Sequence, residues 1–452
     1  MDVNNISRVY LVGIGGIGMS ALARYFHHRG CVVCGYDKTP TPLTDALISE
    51  GMVISFIDET NVIPEAFREP AEGTLIIYTP AVPQDSAILT HFRAEGYVLL
   101  KRSEVLGILS QGQKTIAVAG THGKTTTSCL IAHILKSSGI DCSAFMGGIS
   151  ANYQSNVLFG KSDIMVVEAD EYDRSFLRLH PDIAVITSMD ADHLDIYGDG
   201  EQLKESFRLF AAQLKEGGTL IRRTDLDLEG GIRYSVDGDA DVFAKNIHIE
   251  GGQFVFDFHT PLHTIEALRL GMPGLHNVEN AVAAIEVALA VGVSINDIRT
   301  ALGSFRGVKR RFEYIVTGAD HIYIDDYAHH PEELRACFTS VRMLYPHMKL
   351  TVIFQPHLYS RTRDFAYAFA AVLSEVDELI LLDIYPAREQ PIEGVSAEMI
   401  RGKMTMWNTR VCGKEEALDF VRSTKPELLL TVGAGDIDQL VSPIKNSLLN
   451  HE

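Results

Sequence analysis

Residues Gly120, Thr121, His122, Gly123, Lys124, Thr125 and Thr126 close an apolar run, KTIAVAG, and open a helical pattern, TTTSCLIAHILKSSG. A strand that feeds a glycine turn and then a helix aims backbone N–H groups and the positive end of the helix at one point. Lys124 adds a full positive charge there, and Thr125 adds a hydroxyl suited to Mg2+. The combination fits a nucleoside triphosphate such as ATP. Its spacing departs from G-x-x-x-x-G-K-[ST], because position 118 is Val.

Two acidic segments follow this loop in the chain. EADEYD comes after the apolar strand pattern DIMVV, which puts Glu168 at a strand end on the nucleotide edge of a parallel sheet. A second strand pattern, IAVITS, runs into MDADHLDIYGD, where His193 lies among Asp190, Asp192 and Asp195. Carboxylate oxygens suit Mg2+, with Mn2+ as an alternative, and a neutral imidazole suits a second metal position. Standing alone, such loops are solvated turns; placed at strand ends after a phosphate loop, they point to coordination by Glu168 and His193.

A second glycine loop, GIGGIG, contributes Gly13, Gly15, Gly16 and Gly18 between a strand and a helix, and Asp37 ends the next strand. G-x-G-x-x-G with an acid about 20 residues on predicts a dinucleotide fold, but fits NAD or another nucleotide diphosphate equally, or a tight turn. HNVENAVAA places Asn277 and Asn280 three residues apart on one helix face, where their amides read an adenine edge or cap the helix. Lys309-Arg310-Arg311 offers charge to a transferring phosphoryl group or forms a solvated basic hinge. DDYAHHP and FQPHLYSRTRDF both follow apolar strands. There Asp326 is placed to hold a ribose, and His329 and Arg361 to orient an acid or an amine.

These loops need parallel sheets to present them. Residues 8–101 alternate short β-rich runs with helical patterns, the rhythm restarts at KTIAVAG, and a third alternation begins after FRGVKRRFEYIV. The fold class expected is therefore α/β in three domains: a Rossmann-like N-terminal domain at 1–103, a central P-loop ATPase domain at 104–309, and a Rossmann-like C-terminal domain at 310–452. Gly and Asp turn signals between residues 217 and 259 read as an antiparallel edge of the middle domain.

A formal net charge of −19 disfavours nucleic acid and anionic membranes as partners. No apolar run approaches the roughly 18 residues of a membrane helix, and the start lacks a secretory pattern, so the expected compartment is the cytoplasm. The six cysteines form no disulfide framework, and Cys31-x-x-Cys34 has no second ligand pair, so buried thiols are expected.

Taken in order, GIGGIGMSALA, GTHGKTTT, EADEYD, DHLD, HNVENA, DYAHHP and FQPHLYSRTRDF resemble the motifs of the Mur ligases over essentially the whole chain. The resemblance implies UDP-sugar rather than NAD at GIGGIG and Asp37, with ATP and Mg2+ in the middle domain and the amino acid in the third. It implies ligation of L-alanine to the lactyl carboxylate of UDP-N-acetylmuramate through an acyl phosphate, in peptidoglycan precursor synthesis, by a monomer or weak homodimer. It puts Thr125, Glu168 and His193 on metal, Asn277 and Asn280 near adenine, Asp326 near the ribose, Lys124 and Arg311 on phosphate, and His329 and Arg361 beside the amino acid. The chain departs from the family at Leu358, where Arg is frequent, at Ala328, where Gly is frequent, and at YTPAVP; Leu358 leaves L-serine or glycine acceptance open. A peptide-recycling ligase of the same family is the nearest alternative. An NAD-dependent oxidoreductase explains GIGGIG alone, and a P-loop binding protein leaves the metal loops unexplained. The join Phe305–Phe312 is the expected hinge.

Overall fold

The computed structural model describes residues 5–190, 200–236, 238–387 and 389–449. The chain forms two compact units, one of Met1–Lys245, Asp257–Leu268 and Glu279–Phe305, the other of Asn246–Phe256, Arg269–Val278 and Arg306–Glu452.

The first unit opens with five short strands: β1 (Arg8–Val12), β2 (Val32–Tyr36), β3 (Val53–Ser55), β4 (Thr74–Tyr78) and β5 (Leu99–Lys101). They pair in parallel in the order β3-β2-β1-β4-β5. Val9, Tyr10, Leu11 and Val12 are all fully buried, as expected of a parallel strand covered on both faces by crossover helices. The order reverses at β1, so the glycine loop after it opens at the point where neighbouring crossovers diverge and a ligand crevice forms.

The P-loop strand β6 (Lys114–Ala119) is central in a second sheet, with β7 (Ser143–Ser150), β8 (Ser155–Leu158), β9 (Ile164–Glu168), β10 (Ile183–Ile186), β11 (Thr219–Arg223), β12 (Ile232–Ser235) and β13 (Val242–Glu250). Around β6 the order runs β13-β12-β11-β10-β6-β9-β7-β8. β6 pairs in parallel with both β10 and β9. The ends of those two strands therefore flank the loop at Gly120. Two further strands follow, β14 (Gln253–His259) and β15 (Thr264–Leu270), joined by a turn in which Thr260 N donates to His263 O.

The expected antiparallel edge holds for β13 and β14, neighbours joined by the two-residue turn Gly251-Gly252, but not for the strands before them. β11 pairs in parallel with β10 and with β12, and β12 in parallel with β13. Gly230 and Gly231 end a loop, 224–231, long enough to run back beside strands of five and four residues. Arg222 fastens that loop from within, donating to the carbonyls of Gly230 and Leu226.

The second unit carries a six-stranded sheet: β16 (Glu313–Thr317), β17 (Ile322–Asp326), β18 (Leu350–Phe354), β19 (Glu378–Leu381), β20 (Thr409–Val411) and β21 (Leu428–Val432). Its order is β16-β17-β21-β18-β19-β20, antiparallel at β16 and parallel elsewhere. The segments after β17, β18 and β21 thus emerge at the same end of the sheet.

All six cysteines are buried thiols outside any disulfide, and burial pushes the Cys34 thiol up to about 11. Among the described residues no helix is long and apolar enough to cross a membrane.

Candidate active site

At the end of β6, Gly120 has φ +140°, and a Cβ there would lie 2.1 Å from Thr187 Oγ1, so only glycine lets the loop pass this close to the end of β10. Ser188 continues the clamp: its hydroxyl accepts from His122 N at 2.7 Å and pairs with Thr121 Oγ1 at 2.8 Å. Thr121 Oγ1 also accepts from Asp190 N at 3.1 Å, and His122 Nε2 stands 3.7 Å from the Asp190 carboxylate. The helix Lys124–Ser137 starts directly after Gly123, with Thr125, Thr126, Thr127 and Ser128 buried in its first turns.

Two carboxylates meet this helix start. Thr125 Oγ1 donates to Glu168 Oε1 at 3.1 Å, and Glu168 Oε2 accepts from Gly147 N at 2.9 Å. Lys124 Nζ pairs with Glu171 Oε2 at 2.8 Å and donates to the carbonyl of Thr121 at 3.3 Å and to that of Gly120. Burial works against the charge of Lys124, but Glu171, Asp170 and Glu168 outweigh it and hold the lysine above its ordinary pKa. A lysine so placed is a fixed positive charge.

The structure brings Lys124, Thr125 and Glu168 together, and sets two further residues beside them that the sequence did not single out. Glu171 was read as one of several loop acids; it is 1% exposed and faces the lysine. Gly147 lies in β7, and a Cβ on it would stand 2.2 Å from Glu168 Oε2. The glycine pair in the strand pattern SAFMGGIS was the available signal, since glycine inside a strand marks close approach. His193, Asp192 and Asp195 lie outside the described residues.

The cluster fits a hard divalent cation. Among the described residues no group of three or more His, Cys, Asp or Glu gathers to hold a metal. A hydroxyl and a carboxylate side by side at the phosphate loop are instead the donor set of an ion that completes its shell with phosphate oxygens and water.

The first glycine loop is built differently. A Cβ at Gly13 (φ +88°) would lie 2.5 Å from Thr79 Cγ2, which puts this loop against the segment after β4. Asp37 accepts from Gly15 N at 2.7 Å and from Thr39 N at 3.3 Å, so its carboxylate fastens the glycine loop to the end of β2. Gly16 precedes the helix Ile17–His28, and the Arg102 guanidinium packs against Gly18. That same guanidinium donates to Asp170 at 3.2 Å, joining the first loop to the acidic segment after β9.

In the second unit, Arg310 (φ +61°) and Phe312 (φ +48°) adopt left-handed backbone that non-glycine residues rarely take. Arg310 is committed to Asp325 at 3.0 Å and the Gly433 carbonyl at 2.6 Å. Arg311 lies over the Tyr327 ring, 5.0 Å from its centroid. Both arginines of the basic run thus lie over Tyr327, Arg310 at 5.1 Å, and Arg310 is in addition anchored by its ion pair with Asp325. Asp326 accepts from Phe312 N and Ala328 N, each at 2.7 Å, and burial pushes its carboxyl up to about 6 despite Arg311. Gly433-Ala-Gly-Asp436 forms a turn whose Asp436 is tied to Gln355 and Lys414.

His329 Nδ1 donates to the Tyr327 carbonyl at 2.9 Å, and its backbone N donates to Glu333 at 2.9 Å. Burial lowers its pKa to about 4, only partly offset by Glu333. Its ring meets His357 edge-on at 5.8 Å, and His357 Nδ1 lies 3.5 Å from the Arg361 guanidinium. The structure therefore brings His329 and Arg361 into one cluster through His357, which the sequence reading had passed over. Leu358 takes φ +70°, with its N–H on the Tyr385 carbonyl. On the helix Leu275–Ala290, Asn277 donates to the Pro273 carbonyl at 2.6 Å, while a Cβ at Gly123 would meet Asn280 Oδ1 at 2.7 Å. Asn280 accordingly reaches the phosphate loop, and Asn277 fastens its own helix start.

Comparison with known proteins places these loops in a family. The chain is 50% identical to the UDP-N-acetylmuramate–L-alanine ligase of Porphyromonas gingivalis, covering 98% of this chain and 99% of that one. It is 46% identical to the enzyme of that name from Christiangramia forsetii, over 99% of each. Among solved structures, the UDP-N-acetylmuramate-alanine ligase of Thermotoga maritima superposes with a TM-score of 0.83 at 27% identity, over 97% of this chain and 98% of that one. A murein peptide ligase from Psychrobacter arcticus shares the fold, with a TM-score of 0.69 at 23% identity over 99% of each chain. Residues 8–114 match the model of the Mur ligase family catalytic domain, 118–288 the Mur ligase middle domain, and 310–435 the Mur ligase glutamate ligase domain. Matched in order over most of its length, the chain belongs to the Mur ligase family.

Proposed function

We propose that this chain joins L-alanine to the lactyl carboxylate of UDP-N-acetylmuramate, cleaving ATP to ADP and phosphate, as a cytoplasmic step of peptidoglycan precursor synthesis. The observation that carries the reading is the Lys124, Thr125 and Glu168 cluster at the end of β6, in a chain half identical from end to end to a ligase of that name. Residues 1–103 take the UDP-sugar on the Gly13–Gly18 loop, residues 104–309 take ATP, and residues 310–452 take the amino acid.

In this reading the lactyl carboxylate attacks the γ-phosphorus and displaces ADP, leaving an acyl phosphate. The amine then attacks the carbonyl and phosphate departs. Two anions must meet in the first step, and Lys124, Arg311 and the loop N–H groups offset their repulsion. Thr125 and Glu168 would hold Mg2+, or Mn2+ in its place, and that ion supplies charge compensation at the phosphate oxygens. Asn280 faces the nucleotide side of the loop, and Asp326 is the candidate ribose contact. His329 serves the second step: with Nδ1–H on the Tyr327 carbonyl, Nε2 carries the lone pair and accepts a hydrogen bond that orients the incoming alanine amine. Arg361 is the candidate partner for the alanine carboxylate.

The test mixes protein, ATP, Mg2+ and UDP-N-acetylmuramate with one amino acid at a time, and follows phosphate and ligated product. Phosphate release that needs both the UDP-sugar and L-alanine is expected. Turnover with a preformed peptide but not with L-alanine would sink the reading.

A further inference from the structure

Lys124 has three N–H donors, and the structure occupies all three: the carbonyls of Gly120 and Thr121 take two and Glu171 takes the third. The ammonium is thereby folded back onto the loop that should receive phosphate. Glu171 is 1% exposed and belongs to the segment after β9, so this is a buried ion pair rather than a surface contact. A phosphate oxygen cannot gain this lysine without displacing an acceptor it already has. The two carbonyls belong to the loop itself and move with it. Glu171 stands on another strand's end and competes for the lysine with its own full negative charge.

We infer that Glu171 is a positioning residue that holds Lys124 against the phosphate loop before nucleotide binds, and that binding proceeds by exchange of the ammonium from Glu171 to the triphosphate. The inference rests on the reading of this loop as the ATP site. The pairing keeps a buried lysine charged before substrate arrives, and sets nucleotide affinity through the strength of the bond that must be given up. Glu168 adds its field at the lysine, but its hydrogen bonds run to Thr125 and Gly147, and the direct pairing with Lys124 is made by Glu171. When the products leave, recapture of Lys124 by Glu171 favours their release.

The experiment measures ATP and ADP affinity by titration calorimetry, and KM and kcat for ATP, on the full chain as wild type, Glu171→Gln and Glu171→Ala, with Glu171→Asp as the variant that keeps the charge. Both neutral variants are expected to bind nucleotide about tenfold more tightly and to show a correspondingly lower KM, with kcat changed less than KM. Glu171→Asp is expected to return towards wild-type affinity. Two neutral variants would have to misfold together to hide the effect, and their melting temperatures check that. Unchanged or weaker nucleotide binding in the folded neutral variants overturns the exchange. Wild-type protein that binds no ATP overturns the reading of the site on which the exchange rests.

Discussion

Two buried regions of this molecule resolve the same physical problem in opposite ways. At the phosphate loop, burial opposes the charge of Lys124, and three neighbouring carboxylates overcome it, so the cation persists. In the second unit, burial opposes the charge of His276 and His329, Arg311 adds to the opposition at both, and each falls to about 4. Asp326 in the same region is pushed up to about 6. The difference lies in counter-charge, not in depth. A region that keeps its charge suits phosphate chemistry, while one that keeps its histidines neutral suits hydrogen bonding to an amine without adding a competing positive charge.

The sharpest way to break the comparison is to remove the persistent cation. Lys124→Ala is expected to lower turnover by about a thousandfold or more, since a charge aimed at the transferring phosphoryl group is lost. UDP-N-acetylmuramate binding should stay close to wild type, because the Gly13–Gly18 loop is fastened by Asp37 and not by this lysine. Equal loss of both, in folded protein, would mean that the two glycine loops do not divide the substrates.

Glu168→Gln tests the oxygen pair beside the lysine. The Mg2+ concentration for half-maximal activity is expected to rise about 10- to 100-fold, read from a metal titration at saturating ATP. An unchanged metal requirement would reassign Glu168 to fastening Gly147.

The histidine region predicts a pH dependence of stability. His276 and His329 bind fewer protons folded than unfolded between about pH 4 and 6.5, so their contribution is complete above about 6.5 and is lost as pH falls towards 4. Asp326 has the opposite sign, its raised pKa weakening the fold as pH rises from about 4 through 6. Two histidines outweigh one aspartate, and a net acid-side loss of about 4 kcal/mol at most is expected over that window. Denaturant titrations at several pH values should show it, and His329→Gln should flatten the curve. A steeper curve in that variant would remove the histidine from the account.

The smallest effect is expected at Asp37. Asp37→Asn keeps a side-chain oxygen for Gly15 N but loses the negative charge, at a cost of about 1 kcal/mol in stability and a few-fold in UDP-sugar affinity. A loss as large as that of Lys124→Ala would show that this loop, too, works through charge.

By itself the sequence determined the local devices: glycines where a strand turns into a helix, Lys124 and Thr125 at that helix start, acids at strand ends, and the order of seven motifs that carries family membership. Each is written within a few adjacent residues, where backbone sterics and the strand-to-helix change of period decide the outcome. Tertiary structure decided the rest. Nothing local says that Glu171 rather than Asp170 or Glu168 takes Lys124, that Gly147 gives its N–H to Glu168, or that His357 links His329 to Arg361. Strands β11 to β13 run parallel although Gly and Asp turn residues lie between them, because pairing direction depends on how far a loop can return. The protonation states of His329 and Asp326 depend on what surrounds them from elements distant in the chain, and desolvation is a property of the packed interior, not of any segment within it.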